Sequence, residues 1–413
     1  MSLGESLDRT ARDTALGVLA LCAVLNLISR GVGESFAVFL LPLARDFHAE
    51  RASLTGIYSV YMLAQGLAAP AIGVLFDRLG PRAVYCAGLT VFALAYLLAG
   101  FAASLWHLYL ALGLLAGVGV AALGVTPSSA LVSRWFPRRL PRAMGVLYAA
   151  LGIGMLILAP TSQWLIDSVG WRNAYRIFGA ALLLFLVFLL LAPWRRVAAG
   201  HPEYRAQRDR QRAHDPQWNL RLALQAPAFW GLFAIYFVTA VSTFGINVQG
   251  VVYLVDVGFS ALEAASIYGI AGVMSVFGML GAGAFSERYG ERLVATVCYS
   301  CTILGILALA LLQWQPVYPL AIAFIVLFGT MQGSRSPLIA TLVARLFAGA
   351  GVGSIYGGMV LAMGLGGASG SWIAGLLHDL TGGYGAGFLV AALGAAVGIV
   401  LFRIQSSPAY ILR

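Results

Sequence analysis

The ten residues "GVLFDRLGPR" (Gly73–Arg82) lie between two long apolar runs. Gly73 permits close helix approach, and Gly80 permits a tight turn. Asp77 stands near the end of the first run, where it can pair with cations or with the N-terminus of a neighbouring helix. Arg78 and Arg82 are typical of a turn held on the cytoplasmic side of a membrane. The stretch therefore predicts a short cationic turn between two membrane-spanning helices.

The composition on both sides of this turn is that of a membrane protein. Of the 413 residues, 60% are hydrophobic and only 10% are charged, and the mean hydropathy is +0.87. Soluble proteins carry about 25% charged residues, because their surface has to be covered with polar groups. Apolar stretches long enough to cross a bilayer recur along the chain without strand-like alternation. We therefore predict an all-α polytopic membrane protein.

Hydropathy predicts twelve membrane spans. The only long polar segment falls between the sixth and seventh, so the predicted domains are an N-terminal six-helix bundle (1–194), a cytoplasmic central loop (195–225) and a C-terminal six-helix bundle (226–413). The predicted spans are 15–43, 54–76, 83–103, 106–133, 143–167, 172–193, 226–255, 262–286, 293–313, 317–346, 352–377 and 384–404.

The opening stretch has a second copy, which relates the two halves. "GAFSERYGER" (Gly283–Arg292) closes the eighth span 210 residues later, and the same shift places Tyr58 on Tyr268. "SRWF" (133–136) similarly matches "ARLF" (344–347), and "LIDSVGW" (165–171) resembles "LLHDLTGGY" (376–384). A duplicated six-helix unit predicts two pseudo-symmetric bundles that rock about a central site.

The charge distribution predicts the surroundings and the orientation. All 26 basic residues are arginine, and most lie in the even-numbered loops and the two ends of the chain. This pattern indicates topology rather than nucleic-acid binding, and both termini are expected in the cytoplasm. We predict a monomer in the lipid bilayer, with no nucleic-acid partner, no cofactor and no metal site. No nucleophile–base–acid set appears in the sequence, so an enzyme is not expected.

The chain resembles the major facilitator superfamily of transporters over its whole length. The pattern G-x-x-x-D-R-x-G-x-R is complete from Gly73 to Arg82, and the second copy carries Glu287 in place of the aspartate, followed by Arg288. The resemblance implies the major facilitator fold, alternating access and a central cavity lined by the first, fourth, seventh and tenth helices. "SFAVFLLPLARDF" (35–47), "GSRSPLIATLVARLF" (333–347) and "GLLHDLTGGY" (375–384) are most similar to the bacterial branch that includes oxalate/formate exchangers and monocarboxylate porters. This resemblance implies a bacterial inner membrane.

Away from the span ends, few charges lie inside the predicted helices: Arg30 and Glu34 in the first, and Arg335 in the tenth. A charge at mid-membrane costs about 2.5 kcal/mol or more, so these residues must face protein or a wet cavity. Asn26, Arg30 and Glu34 recur at helical spacing and form one polar stripe. Gln332 and Arg335 belong to a second stripe, on the tenth helix. In the superfamily arrangement both helices face the cavity.

Two guanidinium groups facing one cavity favour an anionic substrate, because guanidinium grips a carboxylate through two parallel hydrogen bonds. Glu34 would neutralise Arg30 between substrates, and substrate binding would free Glu34 to take or release a proton. The alternative is that Arg30 and Glu34 form a structural ion pair. If either guanidinium were turned away from the cavity and held by fixed protein acceptors, it would lose its place in the site and the predicted cargo would lose its basis.

The remaining predicted residues fall into two groups. The expected further substrate contacts are polar side chains within the spans: Tyr58, Tyr61, Tyr268, Tyr356, Asn247 and Gln332. Their alternative role is ordinary packing with one hydrogen-bond partner each. The residues expected to latch one conformation come from the two copies of the inner turn: Gly73, Asp77, Arg78, Gly80, Arg82, Glu287 and Arg288. Their alternative role is to anchor the topology.

The predicted function is secondary active transport of small organic anions, monocarboxylates or short dicarboxylates, with proton coupling through Glu34. Anion exchange would equally overcome the membrane potential, which costs about 2.3 kcal/mol per charge at 100 mV. A cation or drug exporter predicts embedded carboxylates without arginine partners, the reverse of this sequence. A non-transporting membrane sensor predicts an output domain, which the short central loop does not resemble.

Overall fold

The computed structural model describes residues 3–48, 51–204, 218–347 and 351–405, and its regular secondary structure in these ranges is helical. Each of the twelve predicted spans falls on helix. Nine helical stretches of the described residues are long and apolar enough to cross a membrane. One of them, Gly56–Ala99, contains two predicted spans. The described residues therefore have the all-α architecture predicted for a polytopic membrane protein.

The residues form two compact units. Unit 1 comprises Met1–Leu140, Ala150–Leu220 and Phe347–Gly358, and unit 2 comprises Pro141–Ala149, Arg221–Leu346 and Met359–Arg413. Each unit thus contains a short segment from the other half of the chain. The predicted division at 195–225 stays a prediction, and residues 205–217 of that loop lie outside the described residues.

In the first half of the chain, the described residues form eight α-helices and one π-helix. In chain order they are α1 (Leu3–Glu34), α2 (Phe36–Phe47), α3 (Arg51–Ala99), α4 (Leu105–Leu108), the π-helix Tyr109–Leu115, α5 (Ala116–Leu123), α6 (Val125–Trp135), α7 (Leu140–Leu191) and α8 (Trp194–Ala199). Two of these helices, α3 and α7, each cover most of two predicted spans.

The second half repeats this order. Its helices are α9 (Leu220–Ala223), α10 (Pro227–Asp256), α11 (Ala261–Tyr289), α12 (Glu291–Leu311), α13 (Tyr318–Phe324), the π-helix Ile325–Gly329, α14 (Arg335–Leu346), α15 (Val352–Thr381) and α16 (Gly385–Gln405). A capping box starts α11, in which the Glu263 backbone N–H donates to the Ser260 hydroxyl and the Ser260 N–H to the Glu263 carboxylate. Such boxes satisfy N–H groups that the first helical turn leaves without partners.

Four glycines close the turns at equivalent places in the two halves. Gly80 has φ +80° and Gly290 has φ +83°, while Gly170 and Gly382 have φ +80° and +68°. Only glycine adopts such backbone angles at low cost. The repeated motifs found in the sequence therefore correspond to a repeated backbone conformation.

The fourth and tenth predicted spans are not continuous helices. Both contain a π-helix and then a break, at Gly124 before α6 and at residues 332–334 before α14. Pro127 and Pro337 each lie three residues after the break and are themselves 210 residues apart. A proline removes one backbone donor and its ring clashes with the carbonyl four residues earlier, which ends the preceding helix. The break places Arg335 at the first residue of α14.

The first predicted span is also divided. α1 ends at Glu34 and α2 begins at Phe36, while the Ser35 hydroxyl donates to the Val32 carbonyl at 2.7 Å. That bond satisfies a carbonyl at the end of α1, where carbonyls lack helical partners. Arg30 and Glu34 therefore stand in the last two turns of a helix.

A candidate anion and proton site

The predicted polar stripe on α1 forms a partly buried ion pair in unit 1. Arg30 Nε lies 2.9 Å from Glu34 Oε1, and the two side chains are 23% and 15% exposed. The Tyr58 hydroxyl donates to the other carboxylate oxygen, Glu34 Oε2. Arg30 Nη1 donates to Gln65 Oε1 at 3.5 Å. One carboxylate is thus shared between a cation and a phenol, and the guanidinium keeps an accessible edge.

The partner residues come from a matching stripe on α3. Tyr58, Tyr61 and Gln65 are three and four residues apart, so they lie on one face of the helix. The rings of Tyr58 and Tyr61 stack at 5.5 Å between centroids. Gly33 on α1 allows this face to approach, because a Cβ there would lie 2.1 Å from the Tyr61 hydroxyl. The α1–α3 contact therefore places all the polar groups of the site.

Asn26, the first member of the predicted α1 stripe, faces a different helix. It is fully buried, and its Nδ2 donates to the Ser128 hydroxyl of α6 and to the Cys22 carbonyl, both at 2.8 Å. The bond to Ser128 positions α1 against α6, while the buried Asn26 Oδ1 has no hydrogen-bond partner among the described residues. The accessible part of the stripe is consequently Arg30 and Glu34.

Arg335 occupies a closed position in unit 2. The side chain is 0% exposed, and its guanidinium lies over the Tyr299 ring at 5.0 Å. Nη1 donates to the Thr302 hydroxyl at 2.7 Å, and Nη2 donates to the Thr243 hydroxyl at 3.0 Å. Nη2 also donates to the Gln332 carbonyl at 3.3 Å, next to the helix break.

These contacts satisfy Arg335 with neutral acceptors only. Fixed protein groups hold its two terminal nitrogens, and a guanidinium held in this way is not expected to bind substrate. Its Nε is not held by any such group, because this donor is buried without an acceptor among the described residues. The positive charge at the first residue of α14 also opposes the helix dipole. The guanidinium is therefore held in place without a compensating negative charge.

The other predicted contact residues of unit 2 bond with one another or with backbone. Asn247 Nδ2 donates to Gln332 Oε1 at 3.1 Å, and Gln332 Nε2 donates to the Ala271 carbonyl at 3.4 Å. The Tyr268 hydroxyl donates to the Ile246 carbonyl of α10 at 3.2 Å. Tyr58 and Tyr268, equivalent in the repeat, thus each reach the first long helix of their own half. Tyr356 is buried and belongs to unit 1.

The carboxylate of Asp77 caps a distant helix within unit 1. It accepts the backbone N–H groups of Gly353 at 3.1 Å and Ser354 at 2.8 Å, in the first turn of α15. Arg134 Nη2 lies 3.7 Å from Asp77 Oδ1. Gly73 allows the approach, because a Cβ there would lie 2.2 Å from the Gly353 carbonyl oxygen. The contact with a neighbouring helix N-terminus expected of Asp77 is therefore present, whereas its role as a latch stays a prediction.

The second copy of the motif uses a different contact. In unit 2, Glu287 pairs with Arg142 at 2.6 Å instead of capping a helix. Gly283 again permits close approach, with its Cβ position 2.4 Å from the Pro141 carbonyl oxygen. Arg288 lies over the Tyr289 ring at 5.4 Å. Arg78 and Arg82 of the first copy are exposed.

Several residues of these sites were absent from the sequence prediction: Gln65, Thr243, Thr302, Arg134 and Arg142. Gln65 continues the helical spacing of Tyr58 and Tyr61, a signal that could have found it. Arg134 lies in the "SRWF" copy of the repeat and so marks an inner helix end. Threonine hydroxyls usually bond to their own helix, so no local pattern indicates that Thr243 and Thr302 hold Arg335.

Comparison with known proteins identifies the family. The model of the Major Facilitator Superfamily matches residues 19–357. Monocarboxylate transporter 13 from Rattus norvegicus is 32% identical over 368 residues, which cover 87% of this chain and 82% of that protein. Monocarboxylate transporter 12 from Mus musculus is 29% identical, covering 90% of this chain and 81% of that protein.

A solved structure shares the fold. The chain aligns with FucP, a major facilitator superfamily transporter crystallised in the outward conformation, at a TM-score of 0.74 and 17% identity. The alignment covers 95% of this chain and 100% of that one. At this identity the likeness is one of fold alone.

Proposed function

Because the chain belongs to the major facilitator superfamily, we propose that it moves small organic anions across the membrane by alternating access, coupled to protons. The cargo class is that of monocarboxylates or short dicarboxylates. The relatives named monocarboxylate transporters favour the first of these. Anion exchange is the alternative mode of coupling.

The single observation that carries this proposal is the shared carboxylate of Glu34. It binds Arg30 through one oxygen and the Tyr58 hydroxyl through the other. A substrate carboxylate can replace Glu34 on the guanidinium, which offers two parallel donors to one carboxylate. Glu34, once separated from its cation, is the group that we propose carries the proton. Loading of the anion and loading of the proton are then linked at one pair of residues.

The predicted unit 2 contacts have a narrower part in the proposal. Asn247 and Gln332 already bond to each other, and Tyr268 bonds to backbone. Arg335 has one unsatisfied donor, Nε, in a fully buried position. A buried cation without a negative partner is costly, so an anion that reaches it would stabilise it. We keep Arg335 as a second proposed contact on this ground.

We further propose that the protein is a monomer in a bacterial inner membrane. The arginine distribution supports an orientation with both termini in the cytoplasm. In this orientation the Asp77 cap and the Glu287–Arg142 pair lie at the cytoplasmic ends of their helices. We propose that they, with Gly73, Arg78, Gly80, Arg82 and Arg288, stabilise one conformation of the transport cycle.

The proposal predicts that Arg30 determines anion recognition. In a thermal-shift panel of formate, propionate, 2-oxopropionate, oxalate and succinate, purified protein should be stabilised by at least one acid, more strongly as its concentration rises. Arg30→Lys and Arg30→Gln should lower uptake per unit concentration in proteoliposomes about 10- to 100-fold. Charged hydrogen bonds contribute about 1.5–3 kcal/mol.

Arg12→Gln removes an exposed arginine from the same helix and serves as the control. It should leave uptake unchanged. Saturation kinetics of Arg30→Gln equal to wild type would refute the assigned anion contact. Uptake of organic cations in place of acids would instead support an exporter, and ligand stabilisation without any flux would support a sensor. Flux only against a counter-anion, with no proton movement, would support exchange.

A further inference from the structure

A small cavity lies inside unit 1 next to the Glu34–Tyr58 pair. Its wall combines one glycine, four tyrosines and three apolar side chains: Gly33, Phe36, Ile57, Tyr58, Tyr61, Tyr96, Leu112 and Tyr175. Its size is about that of one water molecule. By the predicted orientation, these residues belong to the outer ends of their spans.

Two of the phenols in this wall have unmet hydrogen bonds. Tyr61 and Tyr175 are 3% and 1% exposed, and neither hydroxyl has a partner among the described residues. The Tyr96 hydroxyl donates to the Val32 carbonyl at 2.9 Å and retains its capacity to accept. Tyr58 is already committed as a donor to Glu34 and likewise can still accept.

This combination specifies the occupant. A buried donor without an acceptor is destabilising, so the Tyr61 and Tyr175 hydroxyls call for an oxygen that accepts. Tyr58 and Tyr96 offer acceptors, so the same occupant has to donate as well. Water meets both requirements, and internal waters typically make about three hydrogen bonds to otherwise unsatisfied groups. The neighbouring charged groups are Arg30 and Glu34, which belong to the proposed site.

We propose that this cavity binds one water molecule, and that the water passes protons to Glu34 through Tyr58. The relay role rests on the proposed proton coupling, while the water site itself does not. In the transfer, Tyr58 gives its hydroxyl proton to Glu34 Oε2 and takes one from the water. The water takes a proton from the Tyr175 hydroxyl, and Tyr175, which is enclosed in this structure, is reprotonated from the outer aqueous phase when the transport cycle opens the site to that side. The water and both phenols thus each gain one O–H bond as they lose another, and Glu34 keeps the transferred proton.

The water site can be tested without any substrate. Tyr61→Phe and Tyr175→Phe keep the rings, including the stack of Tyr175 on Phe39 at 4.0 Å, and remove only the hydroxyls. Tyr253→Phe is the control, because that hydroxyl is satisfied by the Leu309 carbonyl at 2.8 Å. If water accepts from Tyr61 and Tyr175, all three changes should lower the melting temperature, by about 2–4 °C. Higher melting temperatures for Tyr61→Phe and Tyr175→Phe, with a lower one for the control, would show a dry cavity and overturn the site.

The relay is tested by comparing two modes of transport in proteoliposomes, with propionate and 2-oxopropionate as probes. Tyr175→Phe should reduce uptake driven by a proton gradient at least tenfold and leave counterflow exchange, which needs no net proton transfer, at the wild-type rate. Equal gradient-driven uptake by Tyr175→Phe and wild type would overturn the relay.

Two other outcomes separate this inference from the proposed function. If Tyr175→Phe reduces the uptake of 2-oxopropionate but not that of propionate, the cavity binds an oxygen atom of the substrate. That result would also overturn the relay. If the wild-type protein transports these acids without moving protons, both the proton coupling and the relay are refuted. The melting temperatures would still show whether the cavity binds water.

Discussion

At the scale of single residues, the guanidinium groups of Arg30 and Arg335 have opposite surroundings. Arg30 is partly exposed and faces a carboxylate at 2.9 Å. Arg335 is fully enclosed and bonds to two threonine hydroxyls and one carbonyl. An ion pair can exchange its carboxylate for that of a substrate, whereas neutral hydroxyls leave the charge of Arg335 uncompensated. The two arginines therefore make different contributions, although each is the single arginine away from the ends of its span.

The unsatisfied Nε of Arg335 leads to a prediction. Arg335→Lys keeps the charge but removes the planar fork, so we expect about a tenfold rise in the KM for uptake of an organic acid. Both Arg335→Lys and Arg335→Gln should lower the melting temperature, because Thr243 and Thr302 lose their partner. The measurements are uptake kinetics in proteoliposomes and thermal unfolding.

Arg221→Gln is the matched control, since that arginine is exposed, lies in the same unit and has no proposed part in transport. It should alter neither quantity. Normal saturation kinetics for either Arg335 variant would exclude Arg335 from the substrate site and leave it a structural role.

At the scale of elements, small irregularities in the helices position the site. The end of α1 at Glu34 and the break before α14 bring charged side chains to helix ends, where backbone groups lack helical partners. The glycine turns inside α3 and α7 reverse the chain between two spans without a loop. Pro127 and Pro337 recur at the same interval of 210 residues as Gly80 and Gly290, so the irregularities belong to the repeated unit.

The turn at Gly80 gives a prediction at this scale. With φ +80° and ψ 175°, its backbone is in a region that is essentially reserved for glycine. No atom lies within 4 Å of the Cβ position, so Gly80→Ala tests backbone strain alone. We expect destabilisation of about 1–3 kcal/mol, measured by thermal or denaturant unfolding in detergent.

Gly66→Ala, in the same helix, is the control. Its Cβ position is equally open and its backbone is helical. Alanine in a helix is favoured over glycine by about 0.5–1 kcal/mol, so this variant should be as stable as wild type or more stable. Equal effects of the two changes would contradict the assignment of strain to Gly80.

At the scale of the whole molecule, contacts between distant parts of the chain define the compact units. Asp77 and the Gly353 N–H it accepts are separated by 276 residues, and this contact lies inside unit 1. A carboxylate at a helix N-terminus gains from both the free N–H groups and the helix dipole. The first copy of the motif caps a helix and the second pairs with Arg142, so the two copies are similar in sequence but differ in contacts.

The cap predicts a measurable contribution to stability. Asp77→Ala should cost about 1 kcal/mol, the usual value for loss of a capping side chain. Asp167→Ala is the control, because Asp167 is exposed and bonds only to Gln163 of its own helix, at 2.8 Å. The control should change the melting temperature little. A loss for Asp77→Ala no larger than for Asp167→Ala would refute a cap that stabilises the protein.

The sequence by itself determined the class of protein, the helical segments and the repeat. It also determined the pairing of Arg30 with Glu34. Hydropathy and residue spacing act locally, so a bilayer-length apolar run and an i, i+4 pair of charges are visible in the chain alone. The positive-φ turns follow for the same reason, since the glycines of the repeated motif have few alternatives.

Only the tertiary structure decided which groups meet. Three findings depend on contacts between separate helices. Tyr58 shares Glu34 with Arg30, and Thr243 and Thr302 enclose Arg335. Asp77 caps a helix far along the chain. Helices pack through side-chain shape and small residues, and no local sequence pattern encodes which helix faces come together. The unsatisfied hydroxyls of Tyr61 and Tyr175 follow from the same packing, because a missing partner is a property of the surroundings.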